Sequence, residues 1–261
     1  MLLNNENLFA KVNLNDGTVK NLDYIRSLGL NLELCVTDSR YLYEKYAMVG
    51  SSLKESISKT GVKTIMHLPF YGLQLGSNDY YIRKLSLQLI IRGIERGMEL
   101  SIFKGVIHIS MPCHIPSNGE TMWKKTFLSS LEKILQVCEK NRFSLYLENT
   151  WEKRIGFMHE IFAEFDSQYL AMCLDIAHLY CFSGDSFNNW WKLYSSKIKH
   201  IHLSDNNFDE DSHLPLGDGS IEYSSILHSI DRDDLTFTIE NDIEDVAKSL
   251  VFLRTNGLIR N

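Results

Sequence analysis

Short runs of β-branched and apolar residues recur along the chain, at 7–12, 31–36, 63–68, 104–109, 143–148, 170–175, 198–203 and 235–240. Between them lie longer stretches in which apolar residues return every three or four positions, the spacing of one helix face. The clearest is 79–100, where Ile82, Leu85, Leu89 and Ile94 oppose Arg83, Lys84, Arg92 and Arg96. Further helices are expected around 19–28, 42–59, 120–140, 155–165, 186–197, 221–230 and 243–255. Strands that each lead into a helix predict parallel pairing and an α/β fold. Repeated eight times, the unit predicts a closed (β/α)8 barrel, with an open doubly wound sheet as the second architecture. No linker, low-complexity tract or charge block divides the chain, so 1–261 is expected to be one domain.

Composition agrees with that size. The 261 residues, 44% of them hydrophobic, can bury a full core as one unit. A formal charge of −6 argues against a broad basic surface for nonspecific nucleic-acid binding, while a local basic groove stays open. Cys35, Cys113, Cys138, Cys173 and Cys181 are scattered and form no CxxC pair. Neither a disulfide framework nor a thiolate zinc knuckle is suggested, and a reducing cytoplasm fits best. The first residues, MLLNNENLFAKVN, put asparagines and a glutamate where a secretory signal would be apolar. No apolar run approaches the roughly 20 residues that cross a bilayer, so a cytoplasmic protein without membrane contact is expected.

Candidate chemistry collects at the C-terminal ends of the strand runs. His67, His108, Glu148, Asp175, His202 and Glu240 close the third to eighth runs, His178 follows the sixth, and Asp211 and His213 lie in the loop after the seventh. In a barrel these positions converge on the face where such enzymes work. Each residue alone reads as a satisfied core or surface group. Together, imidazoles and carboxylates without clustered thiolates read as a rim for Zn2+ or Mn2+.

These residues carry a resemblance that spans nearly the whole chain. LENT (147–150), LDIAH (174–178), and HIHLSDN followed by DSHLPLGDGSIEY resemble the xylose-isomerase-like TIM barrels, which include sugar isomerases and epimerases and the endonuclease-IV-type AP endonucleases. In family terms, Glu148, Asp175, His202 and Glu240 look like the four-ligand site of the epimerases. The full set His67, His108, Glu148, Asp175, His178, His202, Asp211, His213 and Glu240 is similar to the trinuclear zinc site of the endonuclease-IV type. The resemblance therefore implies one to three divalent ions per chain. It also leaves a homo-oligomer open, as sugar-acting relatives are often dimers or tetramers.

Two reactions follow from one rim. In an isomerase or epimerase, a divalent ion stabilises the enediolate formed when a sugar or keto-sugar loses a proton from carbon. Glu148 and Glu240 would be its catalytic base and acid, and His178 would orient substrate oxygens. In a phosphodiesterase acting on abasic DNA, two or three zinc ions lower the pKa of a bridging water toward about 7 and clamp the phosphodiester. The additional ligands His67, His108, Asp211 and His213 favour this second reaction. Phe70 and Tyr71 could pack on a sugar or wedge into a helix gap. Lys11 stands where the endonuclease-IV type tends to show histidine, and could bind an anionic substrate. The sugar reaction, with a small sugar-like substrate, is the preferred expectation, and abasic DNA is the partner only under the alternative.

The remaining candidates have plainer readings. His114, His159, His200 and His228 are expected to be surface or packing residues, although His200 would share its strand face with His202. Arg40 reads as an exposed residue at a helix start, with a phosphate contact as its other use. Gly217 and Gly219 read as a turn leading into the last helix, with a phosphate cradle as their other use. Trp190 and Trp191 read as anchors between helix and barrel, Met172 and Cys173 as barrel core, and Glu152 as solvated or a substrate contact.

Overall fold

A computed structural model of the chain describes residues 3–15, 17–43, 47–112, 114–152 and 155–259, without the side chains of 47–51 and 117. Cys113 lies outside the described residues. The strands are β1 (Leu8–Asn13), β2 (Asn31–Cys35), β3 (Thr64–His67), β4 (Lys104–His108), β5 (Ser144–Glu148), β6 (Leu170–Asp175), β7 (Ile198–Leu203) and β8 (Thr236–Ile239). They pair in chain order, all parallel, and β1 closes on β8 through Phe9 opposite Thr238. The closed barrel, not the open sheet, is therefore the architecture.

The helices are α1 (Thr18–Ser27), α2 (Ala47–Thr60), α3 (Tyr80–Glu99), α4 (Ser117–Asn141), α5 (Gly156–Glu164), the short turn α6 (Ile176–His178), α7 (Phe187–Tyr194), α8 (Tyr223–Ser229) and α9 (Val246–Thr255). Asp79 starts α3 by accepting hydrogen bonds from the backbone of Tyr81 and Ile82 at 2.8 and 3.0 Å. A continuous apolar core that includes Leu22, Ile25, Ile90, Ile94, Phe127, Leu131, Leu250 and Leu253 lies between helices and sheet. Among the described residues, no helix is long and apolar enough to cross a membrane.

A second, smaller apolar cluster fixes what happens at the mouth. Phe9, Ile65, Val106, Tyr146 and Cys173 pack together apart from the main core. Side chains two residues apart share one face of a strand. Two positions beyond these residues come Lys11, His67, His108, Glu148 and Asp175. The barrel thus rests on this apolar cluster and carries these five titratable groups one level above it.

Candidate metal centre

All nine candidate ligands come together at the C-terminal mouth, in three groups. In the first, Glu148 Oε2 lies 3.2 Å from both His67 Nε2 and His108 Nε2. In the second, atoms of Glu148, Asp175, His202 and Glu240 all lie within 4.8 Å of one another. His202 Nδ1 is 3.3 Å from Glu240 Oε2, 3.6 Å from Glu148 Oε1 and 3.9 Å from Asp175 Oδ2. In the third, Asp211 Oδ2 stands between His178 Nε2 at 3.1 Å and His213 Nε2 at 3.2 Å. Glu148 joins the first two groups, and its Oε1 lies 3.2 Å from His178 Nδ1, which brings the third alongside. Asp175 and His202 form the buried floor. The others line a cavity of ≈ 400 Å³ together with Lys11, Phe70 and Tyr71.

Neighbouring groups determine which ring nitrogen faces the centre. His67 Nδ1 lies 3.1 Å from the Leu68 carbonyl, and His178 Nδ1 lies 2.9 Å from the Asn149 carbonyl. A carbonyl only accepts, so both rings donate from Nδ1 and turn Nε2 inward. Asn149, the third letter of LENT, also ties two strands together: its amide donates to the Asp175 carbonyl and its oxygen accepts from Asp175 N. Asp175 Oδ1 accepts from His178 N at 2.7 Å, capping α6. The other oxygen is left pointing into the centre.

Several of the buried atoms that face inward lack hydrogen-bond partners: Glu148 Oε1, Asp175 Oδ2, His202 Nδ1 and Asp211 Oδ1. Leaving such atoms unsatisfied costs about 1–3 kcal/mol each, more for charged groups. Cations suit this donor set, because convergent carboxylate oxygens and imidazole nitrogens are the ligands Zn2+ and Mn2+ prefer. The described groups are therefore arranged so that they could hold metal ions.

The same crowding sets the charges. Burial and the nearby Glu240 and Glu148 carboxylates push Asp175 up to about 7. Burial alone would also raise Glu148, but His108 and His202 hold it well below the usual carboxylate range. Glu240 is held down against burial by His202 and Lys11. Burial would lower His178, yet Asp175, Asp211 and Glu148 keep it well above the ordinary imidazole value. Burial pushes His108 below the ordinary imidazole value, against the opposing pull of Glu148.

The loop that brings Asp211 and His213 is built around Asp205. Asp205 and Leu214 exchange backbone hydrogen bonds of 2.8 Å in an antiparallel bridge. The Asp205 carboxylate accepts from Gly217 N at 2.9 Å and Ile221 N at 3.1 Å. A Cβ on Gly219 would come within 2.4 Å of Asp205 Oδ1 and 2.6 Å of the Asn206 carbonyl, so only glycine fits there. Asn241, next to Glu240, donates to the carbonyls of His213 and Leu214 at 3.0 and 2.6 Å. Gly217 and Gly219 are thus turn residues, and the loop is latched to β8.

Around the centre, the Phe70 ring lies 4.9 Å from His67 and 4.4 Å from His108, while Tyr71 is 68% exposed at the rim. Lys11 reaches into the cavity and stays charged, the carboxylates led by Glu240 outweighing its burial. Arg40 is surface-exposed and paired with Asp38. Trp190 is buried and Trp191 stacks on Phe187, both as helix anchors, and Met172 and Cys173 are core. His114, His159 and His228 are exposed. Glu152 is buried, with both oxygens taken by Thr150, so it is neither solvated nor facing the cavity. Glu33 was not singled out by the sequence reading. It is fully buried in the barrel and hydrogen-bonds His200 and His202 at 2.9 and 3.1 Å. A lone carboxylate inside the apolar run NLELC was the available signal.

Comparison with known proteins agrees with the barrel fold. Residues 22–256 match the family described as xylose isomerase-like TIM barrel. The chain is 30% identical over 216 residues to the uncharacterized protein MJ1311 of Methanocaldococcus jannaschii, covering 77% of this chain and 72% of that one. It is 28% identical over 188 residues to a probable endonuclease 4 of Persephonella marina, covering 63% of this chain and 64% of that one. Among solved structures, the TTHB071 protein of Thermus thermophilus, soaked with ZnCl2, superimposes with a TM-score of 0.84 at 26% identity, over 98% of this chain and 100% of that one. With this fold, this mouth and this match over most of its length, the chain belongs to the xylose isomerase-like TIM barrel family.

Proposed function

We propose that the protein is a multi-metal phosphoester hydrolase of the endonuclease-IV type. The observation that carries this reading is the third group. His178, Asp211 and His213 meet around one carboxylate oxygen, beside two groups that share Glu148. A single-ion isomerase would use Glu148, Asp175, His202 and Glu240 around the ion and His178 on the substrate, and has no work for Asp211 and His213. Separate groups sharing a carboxylate suit a cluster of about three ions, as in multi-metal phosphoesterases. The similarity to a probable endonuclease 4 supports the same reading.

Bound divalent ions would supply positive charge for the phosphoester oxygens and lower the pKa of an attacking water toward about 7. His67, His108 and Glu148 would hold the first ion, Glu148, Asp175, His202 and Glu240 the second, and His178, Asp211 and His213 the third. Lys11 adds a fixed ammonium on the β1 side of the cavity and binds a substrate anion. Phe70 braces the rings of His67 and His108. Tyr71, exposed beside it, offers a flat surface to a sugar or base.

A sugar isomerase or epimerase is the second reading, favoured by one observation: the Glu148, Asp175, His202 and Glu240 group is complete in itself. In that reaction Glu148 and Glu240 serve as base and acid about one ion, His178 orients the substrate oxygens, and a keto-sugar replaces the phosphoester. The test is incubation of metal-replete protein with a duplex carrying one abasic analogue, with simple phosphodiesters and keto-sugars in parallel. Strand or diester cleavage supports the hydrolase. Keto-sugar interconversion without cleavage would replace it with the isomerase.

A further inference from the structure

Glu33 sits one level below the centre, in the middle of β2, and is 0% exposed. It faces the lumen: its backbone pairs with Lys11 on one side and Ile65 on the other. Three donors converge on its carboxylate. His202 Nε2 lies 3.1 Å from Oε1, His200 Nε2 lies 2.9 Å from Oε2, and the Thr238 hydroxyl donates to Oε2 at short range. His200 Nδ1 is in turn 2.7 Å from the Thr236 hydroxyl. A fully buried carboxylate is costly unless it is paired and hydrogen-bonded. An apolar side chain in its place would fill the barrel without that cost, so the arrangement calls for a reason.

We propose that Glu33 is a positioning residue for the metal centre: it accepts the Nε2 proton of His202 and thereby presents the Nδ1 lone pair to the ion held by Glu148, Asp175 and Glu240. The inference rests on the metal reading of the preceding section. A carboxylate in this environment can only accept, which assigns the proton of His202 to Nε2. The opposite nitrogen, Nδ1, is the one that lies 3.3 Å from Glu240 and lacks a hydrogen-bond partner. His200 and Thr238 hold the carboxylate against rotation, so the His202 ring is oriented before any ion arrives. Carboxylate–histidine–metal chains of this kind also raise ligand basicity.

Glu33 has one competing role. With His67, His202 and Glu240 it forms another set of atoms within 4.8 Å, so it could itself be a ligand. That use would take the Nε2 of His202 and free Glu33 from His200 and Thr238. It would also leave Nδ1 facing three carboxylates with no cation between them.

The test compares wild type with Glu33→Gln, both stripped of metal and titrated with Zn2+ against a competing chelator. An amide can turn its NH2 toward His202, which drives the ring proton to Nδ1, where the ion must bind. The expected result is Zn2+ affinity weakened about 10–100-fold, with the number of sites and the thermal midpoint of the metal-free protein kept. Unchanged affinity would overturn the proposal. So would the loss of one ion with the rest bound at wild-type strength, which would make Glu33 a ligand. A second readout needs no variant: in cadmium-loaded wild type with isotope-labelled histidine, His202 should couple to the metal through Nδ1 and carry its proton on Nε2. Coupling through Nε2 would overturn the proposal. Wild type that binds no ion would overturn the metal centre itself, an outcome distinct from any difference between wild type and variant.

Discussion

His178 Nε2 and Asp211 Oδ2 stand 3.1 Å apart, although one follows β6 and the other lies in the loop after β7. The same oxygen reaches His213, so Asp211 is the hub of the third group. Replacing it should therefore remove one ion and leave the groups that share Glu148. Asp211→Asn is expected to lower metal content by about one ion per chain and phosphoester turnover by about 100-fold or more. Elemental analysis beside single-turnover rates checks this. Full metal content in the variant would remove Asp211 from the ligand set.

Protons compete with metal for this mouth. His178 and His213 are raised above 6.5 because neighbouring carboxylates outweigh burial, and Asp175 is raised by burial to about 7. These groups hold protons near neutrality in the metal-free chain and must release them to bind an ion. Zn2+ affinity should rise as pH increases from about 6 to about 8, with proton release measurable in weak buffer. A flat profile would contradict this. Within the metal-free chain the signs are separate. The Asp211 contribution is present above its ordinary value of 3.8 and is lost on acidification. The His178 contribution is present below 6.5 and is lost as pH passes its raised value.

The loop behind Asp211 offers a structural test. Gly219→Ala would drive a methyl group into the Asp205 carboxylate and the Asn206 carbonyl. Overpacking of this kind costs about 1–3 kcal/mol. Thermal denaturation should show the loss. Because Asp205 anchors the segment that carries Asp211 and His213, metal content should fall by the third ion as well.

Much of this arrangement was readable from the chain, for identifiable reasons. The runs at 170–175 and 198–203 are β6 and β7 to the residue, since apolar strands ending in Asp175 and before Ser204 have sharp polar boundaries. Residues 39–42 form a separate short turn, Ser39–Leu42, in place of the start of the expected 42–59 helix, because Asp38 caps it through Arg40 N. The helical turns at 176–183 were not expected, as they depend on the Asp175 side chain binding His178 N. Glu33 was illegible for a different reason. Its partner His200 is 167 residues away, and nothing local announces that pairing. His200, read as surface or packing, proves to be buried beside it.

Lys11 separates substrate binding from metal binding. It lines the cavity, and no metal ligand forms an ion pair with it among the described residues. Lys11→Met should weaken binding of a phosphoester about tenfold, equivalent to about 1.4 kcal/mol, and leave metal content at the wild-type level. Equal affinity in variant and wild type would assign the ammonium to balancing Glu240 alone.

The most direct measurement is the metal content of wild-type protein purified without chelator, by mass spectrometry against protein concentration. The account predicts about three divalent ions per chain, one for each group around Glu148 and Asp211. One ion, or none, after incubation with excess Zn2+ and Mn2+ would contradict it.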